Sequence, residues 1–337
     1  EVQTPAGVIV SAVAMDSASS DAVYIGAANE LAIYRSLDRG QNWLRVPLTD
    51  EYIGGVTDLA VDSAQRLVYV GTDTAGLFRL RDVGSSLVNS GQLLLDEPVL
   101  EVVADNTGLG MAFARTAWHL YRAESFGLTW SMVDNLQSTP TAIAIADTNP
   151  ATVYVGTTDR GVLKSQDGLS WTLANAGLGL VPGSRLSVND IAVDPAQPDV
   201  LYVATNYLYG TSELHATPST VAMSTDEALA WAPIEGAFEG AVAELLPVAG
   251  QTGALYALTS QSRSPMALGS APVATAASIV AEPVATTVSF TTVLAWVIAG
   301  LAALALLFAI VNDVRSRRSE LEVGGKLATS TVRHTGS

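Results

Sequence analysis

The chain has 337 residues, 49% of them hydrophobic and 15% charged, enough to bury one large core or two ordinary ones. Its formal net charge is -16, and residues 1–289 hold 12 basic against 30 acidic side chains, a balance that repels phosphate backbones and excludes nucleic acid as a partner. The absence of cysteine excludes disulfides and thiolate chemistry, and the scattered His119, His215 and His334 offer no zinc-ligand spacing, so no metal or other cofactor is expected.

In chain order, the opening stretch EVQTPAGV precedes the first apolar run and is read as an extra strand that closes the last repeat. A repeat then governs the first 260 or so residues. Its clearest copies are VYIG at 23–26, VYVG at 68–71 and VYVG at 153–156, with MAFA, LYVA and LYAL as weaker forms. Their second residues are Tyr24, Tyr69, Ala112, Tyr154, Tyr202 and Tyr256, spaced by 45, 43, 42, 48 and 54. Before each copy lies another apolar run: SAVAMD, DLAVD, EVVAD, AIAIAD, DIAVD and ELLPVA. After the first five comes a third run, then a polar turn, then a short fourth strand. Four short strands per repeat of about 43 residues predict an all-β, six-bladed β-propeller over residues 1–262. Apolar residues at helical spacing, which a solenoid of helices needs, are not seen.

Residues 263–289, rich in Ala, Pro, Ser, Thr and Val, are read as a tether or in part as outer strands of the last blade. Residues 290–311 run for 22 positions without a charge, the length of a single transmembrane helix through the lipid bilayer. Ala295, Ala299 and Ala303 put small residues at every fourth position of that helix, a pattern that admits a close helix partner. Arg315, Arg317 and Arg318 follow, so the positive-inside rule places residues 312–337 in the cytoplasm and the propeller outside the cell membrane. That orientation requires an export signal, and the start at Glu1 is read as following its removal.

The polar turn between third and fourth runs is SLDRGQNW at 36–43 and SQDGLSW at 165–171, with AESFGLTW and STDEALAW as altered forms. Each position has a structural use. Asp38 and Asp167 accept from turn backbone N–H groups, Gly40 and Gly168 allow positive φ, Ser36 and Ser165 cap the turn, and Trp43 and Trp171 fill the wedge between blades. The motif resembles the BNR or Asp-box repeat, whose members include sialidases, sortilin-type receptors, fungal cellulases and propeller assembly factors of photosystem II. That resemblance spans residues 8 to about 260 and implies a box that is structural rather than catalytic.

A sialidase-like enzyme needs an arginine cluster. Here Arg35, Arg79, Arg122 and Lys164 recur at one blade position just before the box, which assigns them to architecture. No catalytic residues are therefore assigned, and the chain is not read as an enzyme.

The irregular blade is the fifth. From strand-two tyrosine to the end of the box takes 17 to 19 residues in four blades but 29 from Tyr202 to Trp231. The connection into that blade is also long. Strand alternation puts both inserts on one face, where Arg185, Tyr207, Tyr209, Glu213 and His215 are the candidate partner-binding residues. The expected role is a non-enzymatic scaffold, assembly factor or accessory subunit of an integral-membrane complex. Alternatives are a glycan-active enzyme or lectin of the sialidase-like class, and a sortilin-like receptor.

Overall fold

The computed structural model describes residues 3–179, 182–211, 213–234, 240–260 and 266–268. They belong to a compact unit of residues 1–274; a second unit, residues 275–337, lies outside the described residues. So does the whole apolar stretch 290–311, with Ala295, Ala299 and Ala303. Among the described residues no helix is long and apolar enough to cross a membrane.

All regular structure among the described residues is β, in six antiparallel sheets. The first holds β1 (Val10–Asp16), β2 (Ser19–Ala27), β3 (Ala32–Ser36) and β4 (Leu44–Pro47). The second holds β5 (Val56–Asp62), β6 (Leu67–Thr72), β7 (Leu77–Asp82) and β8 (Leu87–Leu93). The third holds β9 (Glu101–Ala104), β10 (Ala112–Arg115), β11 (Leu120–Glu124) and β12 (Thr129–Val133). The fourth holds β13 (Pro140–Ala146), β14 (Thr152–Thr157), β15 (Val162–Ser165) and β16 (Thr172–Leu173). The fifth holds β17 (Arg185–Asp194), β18 (Gln197–Tyr209), β20 (Thr220–Ser224) and β21 (Ala232–Ile234), with β19 (His215–Ala216) paired to the end of β18. The sixth holds β22 (Val242–Pro247), β23 (Leu255–Thr259) and β24 (Met266–Leu268), the last within the stretch read as tether or outer strands.

Sheets pack in chain order, β1 against β5, β5 against β9, β9 against β13, β13 against β17 and β17 against β22. The second strand of each of the second to fifth sheets therefore has a neighbouring sheet to cover either face. This explains why VYIG and VYVG are continuous apolar runs rather than alternating ones: β6 and β14 are buried along their whole length.

The glycine closing those runs answers to the next sheet. A Cβ on Gly26 would stand 2.4 Å from Val56 Cγ1, on Gly71 2.7 Å from Val99 Cγ1, and on Gly156 2.5 Å from Val188 Cγ1. Each valine lies at or just before the first strand of the following sheet and fills the space that a missing side chain leaves.

Among the described residues, the N-terminal stretch pairs with no strand of the last sheet. Its Gly7 accepts from Asn29 Nδ2 (3.2 Å) and its Gln3 from Trp43 Nε1 (2.7 Å), and Ile9 just after it accepts from Ala28 N (2.7 Å), all in the first blade. The reason lies in the tryptophan. Box tryptophans pack on the preceding sheet, Trp130 on Tyr69 (5.7 Å between centroids) and Trp171 on Phe113 (6.3 Å). Trp43 finds the N-terminal stretch instead.

Candidate functional site

Strand direction gives the molecule two faces. The loop face carries the connections between sheets and the second-to-third loops; the turn face carries the first-to-second hairpins and the third-to-fourth turns.

The third-to-fourth turns are built alike in three sheets. Ser36 Oγ donates to Asp38 Oδ1 (2.7 Å) and accepts from Gly40 N (2.7 Å), while Asp38 Oδ1 accepts from Gln41 N (3.0 Å) and Asn42 N (2.8 Å). Ser165 and Asp167 repeat this with Gly168, Leu169 and Ser170 in a loop one residue shorter. Ser224 and Asp226 do the same with Ala228 and Ala230. Backbone N–H donation from Asn42, with help from its side chain and Ser36, holds Asp38 down to about 2, and the N–H groups of Ser170 and Leu169 hold Asp167 well below the ordinary carboxylate range. The longer form needs two left-handed residues: Arg39 and Gly40 at φ 59° and 83°, Glu227 and Ala228 at 57° and 60°. SQDGLSW needs only Gly168, at 68°.

The recurring cations bind the next sheet's turn. Arg35 Nη2 donates to Gly84 O (2.8 Å), Arg79 Nε to Phe126 O (2.6 Å), Arg122 Nε to Asp167 O (2.9 Å) and Lys164 Nζ to Glu227 O (3.2 Å). Arg35 also pairs with Asp82 at 3.0 Å. The fifth sheet has Met223 at this position, and the sixth sheet, which follows it, has no box in its sequence for a cation to reach.

The fifth-sheet residues gather at one end of one hairpin. Arg185 begins β17 and pairs with Leu208, Tyr207 and Tyr209 end β18, and β19 brings His215 opposite Tyr209, their rings 5.5 Å apart at 32°. Tyr209, Glu213 and His215 are exposed. Tyr207 is not a free surface group: half-buried, it donates its hydroxyl to the carbonyls of Leu178 and Gly179 and so ties the two inserts together.

A second feature was not singled out from the sequence. At the loop-face end of the axis a cavity of about 440 Å³ is lined from all six sheets, by Ser11, Asp58, Glu101, Thr141, Asp190 and Glu244 among others. Three of its acids latch neighbouring first strands. Val102 N donates to Asp58 Oδ2 (2.7 Å), Ile143 N to Glu101 Oε2 (3.1 Å) and Leu245 N to Asp190 Oδ2 (2.6 Å). Among the described lining residues Arg115 is the one cation, 3.0 Å from Glu101. Burial outweighs that pair and the amide donors, pushing Glu101 up to about 8 and Asp58 and Asp190 to about 6. The signal was in the runs themselves, since DLAVD, EVVAD, DIAVD and ELLPVA each begin with one of these acids.

At the other end of the axis the hairpins are chained together, Ser17 N to Ser63 Oγ (2.9 Å), Ser63 N to Asn106 Oδ1 (3.0 Å), Asn106 N to Asp147 Oδ1 (2.8 Å) and Gly250 N to Asp194 Oδ1 (3.0 Å). Among the described residues no group of three His, Asp or Glu side chains is placed to hold a metal ion.

No family model matches the chain, and no curated protein matches it. Among solved structures it is similar to the GH74 xyloglucanase from Xanthomonas campestris, at 19% identity and TM-score 0.54, over 74% of this chain and 43% of that one. It is similar to a chain of the mitotic checkpoint complex at 11% identity and TM-score 0.52, over 80% of this chain and 76% of that one. YCF48 from Cyanidioschyzon merolae aligns at 10% identity and TM-score 0.43, over 79% and 96%. The chain spans less than half the length of the xyloglucanase. At these identities the likeness is one of fold: the described sheets are blades of a β-propeller.

Proposed function

We propose that the chain is a six-bladed Asp-box propeller, exported and held at the membrane by residues 290–311, that docks on an integral-membrane complex as a non-enzymatic scaffold, assembly factor or accessory subunit. The supporting observation is the end of the fifth-blade hairpin, which exposes Tyr209 with its ring against His215, Glu213 beside them in the chain, and Arg185 opposite Leu208 on the other side of the strand, while the Tyr207 hydroxyl braces the inserts. An aromatic and an arginine on a rigid hairpin are what protein interfaces use at their centres. Arg35, Arg79, Arg122 and Lys164, which an anion-binding active site would recruit, are engaged with neighbouring turns. An anchored propeller also gains local concentration at the bilayer, so a modest docking affinity suffices.

The test is purification from mild detergent through a tag on the C-terminal tail, with and without residues 208–216. Co-purification of membrane subunits that declines with the shortened hairpin supports the reading; a monodisperse lone monomer overturns it.

A second reading, glycan hydrolysis, draws on the axial acids, since a carboxyl held protonated at neutral pH is what a general acid requires. Incubation with xyloglucan, β-glucan and a sialoside checks it, and release of reducing sugar that is lost in Glu101→Gln would favour it.

A further inference from the structure

The axial acids exceed what their structural task demands. Each latch between first strands needs only one oxygen to accept a backbone N–H, and an asparagine or glutamine side chain supplies the same oxygen without charge. Four blades instead contribute carboxyls, close enough that Glu244 disfavours the charge on Asp58 and Asp190, and Asp190 and Asp58 disfavour that on Glu101. Glu244 is exposed to the cavity and takes part in none of these three latches. One guanidinium, Arg115, lines the cavity with them and favours the charge on Glu101, Asp58 and Asp190. Local choices that oppose stability mark positions kept for another reason.

The loop face also carries exposed apolar side chains. Ile53, three residues before β5, is 97% exposed on a loop that ends in two glycines, and Trp118 of the β10–β11 loop is 68% exposed. Leu100 lines the cavity itself and remains 43% exposed. Exposed apolar side chains on the face where a charged pocket opens have the composition of an interface with an electrostatic anchor.

We infer that the axial cavity is the socket for a basic side chain, lysine or arginine, presented by an apolar-flanked segment of a protein partner that docks on the loop face. The inference deepens the docking reading and rests on it. A cavity of about 440 Å³ accommodates a butylammonium or guanidinium group with its stem, and the free lone pairs of Asp58, Asp190 and Glu244 supply the acceptors. Charge selects the residue, and Leu100, exposed at the cavity, offers an apolar flank. The bound cation offsets the mutual repulsion of the acids, so a neutral residue of equal length gains none of this.

The probes are dye-labelled pentapeptide amides of sequence Ala-Leu-X-Leu-Ala, with X as lysine, arginine, glutamine or norleucine, titrated into the full chain in mild detergent and read by anisotropy. The lysine or arginine peptide should bind about tenfold or more tightly than the glutamine peptide at low salt, with the margin shrinking as salt rises. Glu244→Gln should cut that margin with a nearly unchanged urea midpoint, and Leu100→Ser should weaken all four peptides alike. Equal binding of lysine and glutamine peptides, no binding of any, or a margin that survives both Glu244→Gln and Asp190→Asn would overturn the socket. If tail-tag purification still recovers a membrane complex in that case, only the socket falls. A charge-selective margin without a recovered complex removes the proposed docking partner instead.

Discussion

Tyr154 and Lys164, paired across β14 and β15 of the fourth blade, both donate to a single acceptor in the fifth, the carbonyl oxygen of Glu227, each at 3.2 Å. The same cross-strand pair recurs as Tyr24 with Arg35 and Tyr69 with Arg79, and as Phe113 with Arg122. An aromatic and a cation thus face the following turn at four interfaces. At the next, Tyr202 pairs with Met223, and the tyrosine hydroxyl accepts from Gly253 N at 2.8 Å. The box is therefore half of a joint, and its partner half lies one blade earlier.

The joint makes the four cations unequal. Arg122→Met removes a hydrogen bond to Asp167 O near the surface and should cost about 1–2 kcal/mol. Arg35→Met also removes the guanidinium 3.0 Å from the largely buried Asp82 and leaves it with Gly84 N at 2.6 Å and Arg66 at 3.5 Å, so the loss should be larger, about 2–3 kcal/mol. Urea midpoints of the two variants check this, and equal midpoints would refute the joint as the source of the difference. Met223→Arg should bring no gain.

The glycines make an opposite kind of demand. Gly156→Ala places a methyl 2.5 Å from Val188 Cγ1 and 2.8 Å from its Cβ, so the valine must shift with its strand, at a cost of about 1–3 kcal/mol. The double variant Gly156→Ala with Val188→Ala removes the clash, and its destabilisation should fall short of the two single effects added together. Simple additivity in a double-mutant cycle would mean that the pair does not meet.

What the sequence revealed of this architecture divides along physical lines. Ser36, Asp38, Gly40 and their copies form a local turn whose partners lie within four residues, so spacing alone exposed them. Arg35, Arg79, Arg122 and Lys164 were recognisable as architectural by recurrence, but their acceptors lie 45 to 63 residues away and only the ring brings them near. The acids that open DLAVD, EVVAD, DIAVD and ELLPVA were in plain view and still missed. Each looks like the polar start of a strand, and their meaning arises only when first strands converge on one axis. Gly26, Gly71 and Gly156 are similar cases, since the valine each accommodates belongs to another blade.

Stability should be greatest in mildly acidic solution. Glu101, raised to about 8 by burial, and Asp58 and Asp190, raised to about 6, hold protons in the folded chain that the unfolded chain has released above about pH 4. Folding is thus favoured by them at low pH, and their contribution is lost as pH rises through about 6 and then about 8. Asp38, Asp167 and Asp226 are lowered by backbone donors and act in the other sense, their contribution present above about pH 4 and lost below it. Urea midpoints should therefore peak near pH 4–5 and decline toward pH 9. Glu101→Gln should flatten the decline above neutrality, and a midpoint that rises from pH 5 to pH 8 would contradict the burial of these acids.

Two tyrosines two residues apart should respond oppositely. Tyr207→Phe leaves the hairpin in place but frees the carbonyls of Leu178 and Gly179, so it should cost about 1 kcal/mol and raise amide exchange in residues 177–179. Tyr209 has its ring against His215 and its surface toward solvent, so Tyr209→Ser with His215→Ala should change the urea midpoint by less than about 0.5 kcal/mol equivalent. If the hairpin docks, the same double variant should reduce recovery of membrane subunits through the tail tag, whereas Tyr207→Phe should reduce it less. A Tyr209 and His215 variant that destabilises the fold yet recovers the complex in full would make the pair a structural brace, and the docking contact would then have to lie elsewhere on the loop face.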